Sequence, residues 1–373
     1  MGLLDYYRQF EGMTEEEVNA GLREEAAERK RKALTRVDTL DLSQTTWPEL
    51  PHPRIVNAIT FIARRGLHRY PHLKGSELRD ELAARHDVDR SRLILGNGAA
   101  ELLSAATRAV MGPGQQLLTI WPSYPLFPIM ARRAHGQAVR VGGPSSSGVD
   151  ELLERAKDTA GVRVIAVASP NDPSGELLPA SELARLLDNL SEGVAVLLDE
   201  ALVEFADAQP ASASLSLLER HPRLLVFRSF SKAWGLGGLR VGYAIGGPGS
   251  GELLAELEPD LGVSEVSQAG ALEALRSCEE IVAKRIEAIC EERPRVSEGL
   301  RKLGFDVSDS QANFVWVAHP HVDGAELAGR LERAGILVAS GDALGEPHHV
   351  RISLRSRSAS DRLLRAVEAA LEQ

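Results

Sequence analysis

Short apolar runs alternate with amphipathic stretches through the middle of the chain. Residues 93–95, 117–121, 162–168, 194–198, 224–228 and 241–245 are nearly unbroken apolar runs, as in strands covered on both faces. Between them, residues 99–110 and 179–190 repeat apolar side chains at helical spacing. This alternation predicts an α/β layer around a mostly parallel sheet, whose sites collect at the carboxyl ends of strands. Upstream, Pro48, Pro51 and Pro53 precede a periodic helix over 54–65, and a second helix follows Gly75, with Leu78 and Leu82 four apart. After about residue 258 the pattern changes to long charged helices over 267–303, with Pro294 inside. Strand-like segments at 313–317 and 350–354 and a last helix over 360–371 complete a smaller α+β region.

At the amino end, residues 11–36 read as a charged helix. Thr14 and Glu17 form a capping-box pattern, and Glu25/Arg29 and Glu28/Lys32 are opposite charges four apart. With few apolar positions, this helix is expected as an arm lying on a surface. A chain of 373 residues exceeds what one core usually organises. The expected division is an arm at 1–41, a large α/β domain at 42–258 and a small α+β domain at 259–373.

Composition narrows the function classes. The net charge is −10, without a basic block, which argues against nucleic acid as a partner. The early residues hold acidic side chains and no apolar core, unlike a signal peptide, and no run approaches a membrane span. Two cysteines, Cys278 and Cys290, are too few for a disulfide framework and are expected as buried thiols in a helical stretch. The histidines lack the spacing of zinc sites, so no metal is expected. These features together predict a cytoplasmic protein.

Candidate chemistry stands at the strand ends. After 224–228 come Ser229-Phe230-Ser231-Lys232-Ala233-Trp234-Gly235 and then Gly237-Gly238-Leu239-Arg240. Hydroxyls at 229 and 231 and the Arg240 guanidinium are suited to hold a phosphate beside an amine. A solvated loop lysine is the alternative. The loop after 93–95, Gly96-Asn97-Gly98-Ala99-Ala100-Glu101, opens directly into a helix, whose free amides bind phosphate. It lacks the third glycine of a dinucleotide fingerprint, and no Walker pattern occurs. Asp199 ends the 194–198 run. It is either a cap or ion-pair partner, or the carboxylate that keeps a pyridine nitrogen protonated. Ser169-Pro170-Asn171-Asp172-Pro173-Ser174-Gly175 forms a turn at the same end of the sheet.

Together these segments resemble the fold-type I, class I/II aminotransferases, and most closely the histidinol-phosphate aminotransferase branch, from about residue 42 to the carboxyl terminus. The run Ser229 to Gly235 followed by Gly237-Gly238-Leu239-Arg240-Val241-Gly242-Tyr243 is the most specific part. The resemblance implies pyridoxal 5′-phosphate bound as an imine to Lys232. Its phosphate would be held by Ser229, Ser231, Arg240 and the Ala99 and Ala100 amides, its ring nitrogen by Asp199, and its ring face by Tyr124. Tyr70 matches a position that reaches the phosphate in the other subunit, implying a homodimer with shared sites. Asn313 and Arg351 match substrate-binding positions, with Arg351 gripping the α-carboxylate. The implied reaction moves an amino group between an amino acid or amine donor and a 2-oxo acid, with Lys232 as general acid–base.

Three departures stand out. Asp172 replaces an asparagine that donates to the cofactor's ring oxygen, and Leu202 replaces a tyrosine that does the same. An ionised Asp172 is expected to raise the imine pKa. Val338-Ala339-Ser340 follow where histidinol-phosphate enzymes carry a phosphate-binding arginine, while Arg355 is placed on the same strand face as Arg351. The rival readings are a decarboxylase or oxidative enzyme with the same cofactor, and a non-catalytic binding protein of the same fold.

Overall fold

Alternate residues of one strand feed two different cores. In the computed structural model, which describes residues 39–142, 148–158 and 161–372, Val196 and Leu198 face one apolar cluster and Leu197 faces the other. The neighbouring strands repeat this: Ile165 and Val167 pack one way, Val164 and Ala166 the other. Helices cover both faces, so these strands have no polar side to show, as their apolar runs predict. The charged helix expected over 11–36 lies outside the described residues.

Strand β1 (Leu40–Asp41) opens the described chain. The large sheet is built from β2 (Leu93–Gly96), β3 (Gln116–Ile120), β4 (Gln137–Val141), β5 (Val162–Ala168), β6 (Ala195–Asp199), β7 (Leu224–Ser229) and β8 (Gly242–Gly246). Its order is β2-β8-β7-β6-β5-β3-β4. The pairs β7–β6, β6–β5, β5–β3 and β3–β4 are parallel, and only β8 runs against its neighbours. The carboxyl ends of six strands therefore lie along one edge, and the start of β8 joins them there. Gly96 and Ser229 both stand opposite Gly242.

A second sheet of four strands combines β9 (Asp306–Val307), β10 (Phe314–Ala318), β12 (Ala339–Ser340) and β13 (His349–Ser353) in the order β12-β13-β10-β9. Strand β11 (Ile336–Leu337) pairs in parallel with β1, so residues 40–41 join the carboxyl-terminal part of the chain. The long charged region is two helices, Glu265–Ser277 and Glu279–Lys302, broken at Cys278. Cys278 is buried at that break while Cys290 is only half-buried, so the expectation of two buried thiols holds for one of them. Arg355 lies two residues beyond the end of β13, and Asp41 is the charge acting on it. It does not share a strand face with Arg351, because the chain leaves the sheet at Ser353.

Candidate active site

The edge where the strands end surrounds a cavity of about 250 Å³, lined by Ala99, Ala100, Tyr124, Asp172, Asp199, Ser229, Ser231, Lys232 and Arg240 among others. They come from the ends of β2, β3, β5, β6 and β7 or the turns after them, and from the turn before β8. The arrangement follows from the topology: five of the six parallel strand ends deliver their loops to one place, and the reversed β8 brings Arg240 from its other side.

The glycines set how closely these loops approach. At Gly242 a β-carbon would stand 2.3 Å from the Ala99 amide nitrogen and 3.0 Å from the Arg228 carbonyl. Only glycine lets the start of β8 pass against the amino terminus of the helix Ala99–Val110. Gly98 has φ +89°, and a β-carbon there would meet Arg240 Nη2 at 2.4 Å. The guanidinium is thus held over a helix amino terminus whose free amides and dipole attract an anion. Arg240 donates to the Gly237 carbonyl at 2.9 Å and lies 3.4 Å from the Ser231 hydroxyl. The Ser229 hydroxyl accepts from the Ser231 amide at 3.0 Å.

Lys232 sits in a loop closed on itself. The Phe230 amide donates to the Val241 carbonyl and the Leu236 amide to the Phe230 carbonyl, at 3.1 and 2.9 Å. Phe230, Ala233 and Trp234 are buried and anchor the turn. Burial lowers the Lys232 pKa, Asp172 and Asp199 oppose that shift, and Arg351 and Arg240 reinforce it. Lys232 Nζ donates to the Thr45 hydroxyl. Asp199 is buried at the end of β6 and accepts from the Ala201 amide at 3.0 Å. Burial pushes its carboxyl up to about 6, against the opposing pull of that amide and of Lys232. Tyr124, over the same space, is raised by burial and then by Asp199 and Asp172.

Asp172 is aimed by its neighbour. Asn171 donates to the Pro122 carbonyl and to the Ser174 hydroxyl, both at 2.9 Å, and accepts from the Ser123 hydroxyl at 2.8 Å. The fixed turn presents the Asp172 carboxylate to Arg351 Nη1, with which it forms an ion pair; Arg351 Nη2 donates to the Ser43 carbonyl at 3.1 Å. Arg351 stands on β13, between β12 and β10, and its Nε is buried without a partner among the described residues. Asn313 lies just before β10 rather than on the cavity wall. Its side-chain amide donates to the Thr45 carbonyl at 2.9 Å, and its oxygen is buried without a partner among the described residues.

Leu202 lines the cavity and is buried, so a hydrocarbon does stand near Asp199 and Lys232. Tyr70 is not brought to this cavity: it is 81% exposed on another surface of the same chain. Sequence reasoning missed Thr45 and Ser43. They lie in a serine- and threonine-rich segment without periodicity and are tied down by distant partners.

The sequence model of the family described as aminotransferase class I and II matches residues 37–369. The chain belongs to this family. This aminotransferase is 34% identical over 335 residues to the aromatic amino acid aminotransferase of Corynebacterium efficiens, covering 89% of this chain and 93% of that one. It is 34% identical over 306 residues to histidinol-phosphate aminotransferase 1 of Mesorhizobium japonicum, covering 81% and 82%. Among solved structures, the fold is shared with histidinol-phosphate aminotransferase of Sinorhizobium meliloti, itself in complex with pyridoxal 5′-phosphate. There the TM-score is 0.79 and the identity 24%, covering 93% and 94% of the chains. It is shared likewise with aspartate aminotransferase of Thermotoga maritima, at TM-score 0.77 and 21% identity over 94% and 96%. The chain is thus an aminotransferase of fold type I.

Proposed function

We propose that this aminotransferase uses Lys232 to carry pyridoxal 5′-phosphate and to shuttle the donor's α-proton, in a cytoplasmic homodimer whose two subunits share their sites. One observation carries the reading: a buried lysine, a buried carboxylate and a guanidinium set over a helix amino terminus all face one cavity. These residues suit the cofactor. Arg240, Ser229, Ser231 and the Ala99 and Ala100 amides offer a phosphate cradle, whose close packing depends on Gly98 and Gly242. Asp199 is a buried carboxylate that accepts from the Ala201 amide and, among the described residues, has no cation in ion-pair contact, and a protonated ring nitrogen would supply one. Tyr124 offers a ring face.

When bound, the cofactor supplies an electron sink that acidifies the donor's α-C–H bond. Lys232 Nζ would take the donor's α-hydrogen as a proton, hold it, and deliver it to the carbon on the far side of the amine nitrogen rather than back to the α-carbon. Its lowered pKa favours the neutral amine that this needs, and Thr45 is a hydrogen-bond partner for that amine. Across a full cycle the donor gives up its amino group and α-hydrogen and takes a carbonyl oxygen from water. The acceptor releases its oxygen as water and gains both, so no outside oxidant is required.

The homodimer reading is supported by the surface around Tyr70, where Phe61, Leu67, Leu73 and Leu261 are all more than half exposed. No helix among the described residues is long and apolar enough to cross a membrane, and two free cysteines suit a reducing compartment. The test is Lys232→Ala. The purified variant should lose the visible absorbance of the lysine-bound cofactor and all conversion of amino donors. A variant that keeps both would sink the assignment.

A further inference from the structure

The cavity's charges are already paired, apart from the groups that await the cofactor. Arg240 and the helix amides await a phosphate dianion, and Asp199 awaits a ring N–H. Arg351 stands behind the cavity lining rather than in it, and a carboxylate of that lining, Asp172, already sits on its Nη1. The Ser43 carbonyl takes its Nη2. Both side chains of the pair are largely buried, at 11% and 14% exposure, so water screens them weakly. Asp172 cannot easily swing away, because Asn171 braces its turn to Pro122, Ser123 and Ser174.

A substrate α-carboxylate arriving at Arg351 would be a second anion on one guanidinium. It would have to share the fork with Asp172 or displace it, in either case beside a like charge of low exposure. A substrate with hydrogen or hydroxymethyl in that position meets no such penalty, and an alcohol can donate a hydrogen bond to Asp172. We propose that Asp172 is a built-in counter-ion for Arg351 and that this site favours amino donors without an α-carboxylate, namely primary amines and amino alcohols, over the matching amino acids. The proposal rests on the aminotransferase reading and specifies its substrate class. A 2-oxo acid acceptor meets the same penalty, so the donor half-reaction is the one to measure alone.

The experiment uses the holoprotein in single-turnover reactions with matched pairs, phenylalanine against phenylalaninol and histidine against histidinol, following loss of the lysine-bound cofactor's absorbance. The wild type should react with each alcohol at least about tenfold faster than with its amino acid, and Asp172→Asn should shift that ratio toward the acid by about tenfold or more. A second readout needs no turnover. Calorimetric titration with 3-phenylpropionate, an unreactive carboxylate, should show about tenfold tighter binding to Asp172→Asn and to Asp172→Ser than to the wild type. A wild type that prefers the amino acids, or a ratio and an affinity unmoved by both variants, overturns the proposal while leaving the aminotransferase reading intact. Bound cofactor that responds to no primary amine at all overturns the aminotransferase reading, and this proposal with it.

Discussion

Arg228 on β7 donates from Nε and Nη2 to one oxygen of Glu200, at 3.0 and 2.8 Å, with both side chains almost fully buried. The pair sits directly beside Asp199 in sequence and separates two adjacent carboxylates by role. Glu200 is neutralised by a fixed cation behind the sheet edge, leaving Asp199 as the carboxylate that faces the cavity.

Removing one partner of that pair should therefore act on stability first. Glu200→Ala leaves Arg228 buried with the Ala211 carbonyl, Tyr243 and the more distant Glu204 to offset its charge. Breaking a buried pair costs about 3–5 kcal/mol, and Glu204 places this case near the lower end. Replacing both members together, Glu200→Leu with Arg228→Met, should recover most of the loss. Urea unfolding checks this: a single variant as stable as the wild type would show that the pair is not needed to neutralise Arg228.

Asp199 predicts a pH dependence of opposite character from an ordinary surface carboxylate. Its folded pKa, about 6, lies above the ordinary carboxyl value of 3.8 because burial disfavours the charged form. A carboxyl with a raised folded pKa contributes stability that is present below about 3.8 and lost as the pH rises through about 6. That difference corresponds to at most about 3 kcal/mol. In the cofactor-free protein, Asp199→Asn should thus stabilise at pH 7.5 and change little near pH 4, since the amide oxygen can still accept from Ala201. The same variant should hold the cofactor more weakly. Thermal melting at the two pH values, with and without cofactor, separates these effects; equal shifts at both pH values would contradict the sign argued here.

The sequence disclosed most where burial is extreme. Residues 162–168 read as a strand because both faces of β5 are covered, and the helix beginning at Ala99 was legible from the glycines before it and its periodic apolar face. Strand β4 was not legible, because it is partly exposed and mixes polar with apolar residues. The helix Leu126–Arg133 is short and contains Pro128, which reads as a breaker. In the site, Lys232, Asp199 and Arg240 are brought together as the motifs implied. The Asp172–Arg351 pair was not foreseen, since its members are 179 residues apart and the sequence assigned each to a different partner. Thr45 is 187 residues from Lys232 and carries no local pattern at all.

Tyr70 supplies the prediction that bears on assembly. Within one chain it is exposed and does not line the cavity. If each site takes Lys232 from one subunit and Tyr70 from its partner, Lys232→Ala and Tyr70→Ala homodimers each have two defective sites. A mixed dimer then has one site with both defects and one with none. Random reassociation of equal amounts makes half the dimers mixed, so about a quarter of wild-type activity should return. Each variant alone should stay nearly inactive, and the regained activity should require unfolding or subunit exchange before assay. Two inactive variants that exchange subunits, as shown by a tag carried on one of them, yet regain nothing would place Tyr70 outside the partner's site. Such a result would leave Lys232 and its cavity untouched and remove only the shared-site reading, because none of the cavity's observed contacts depends on Tyr70.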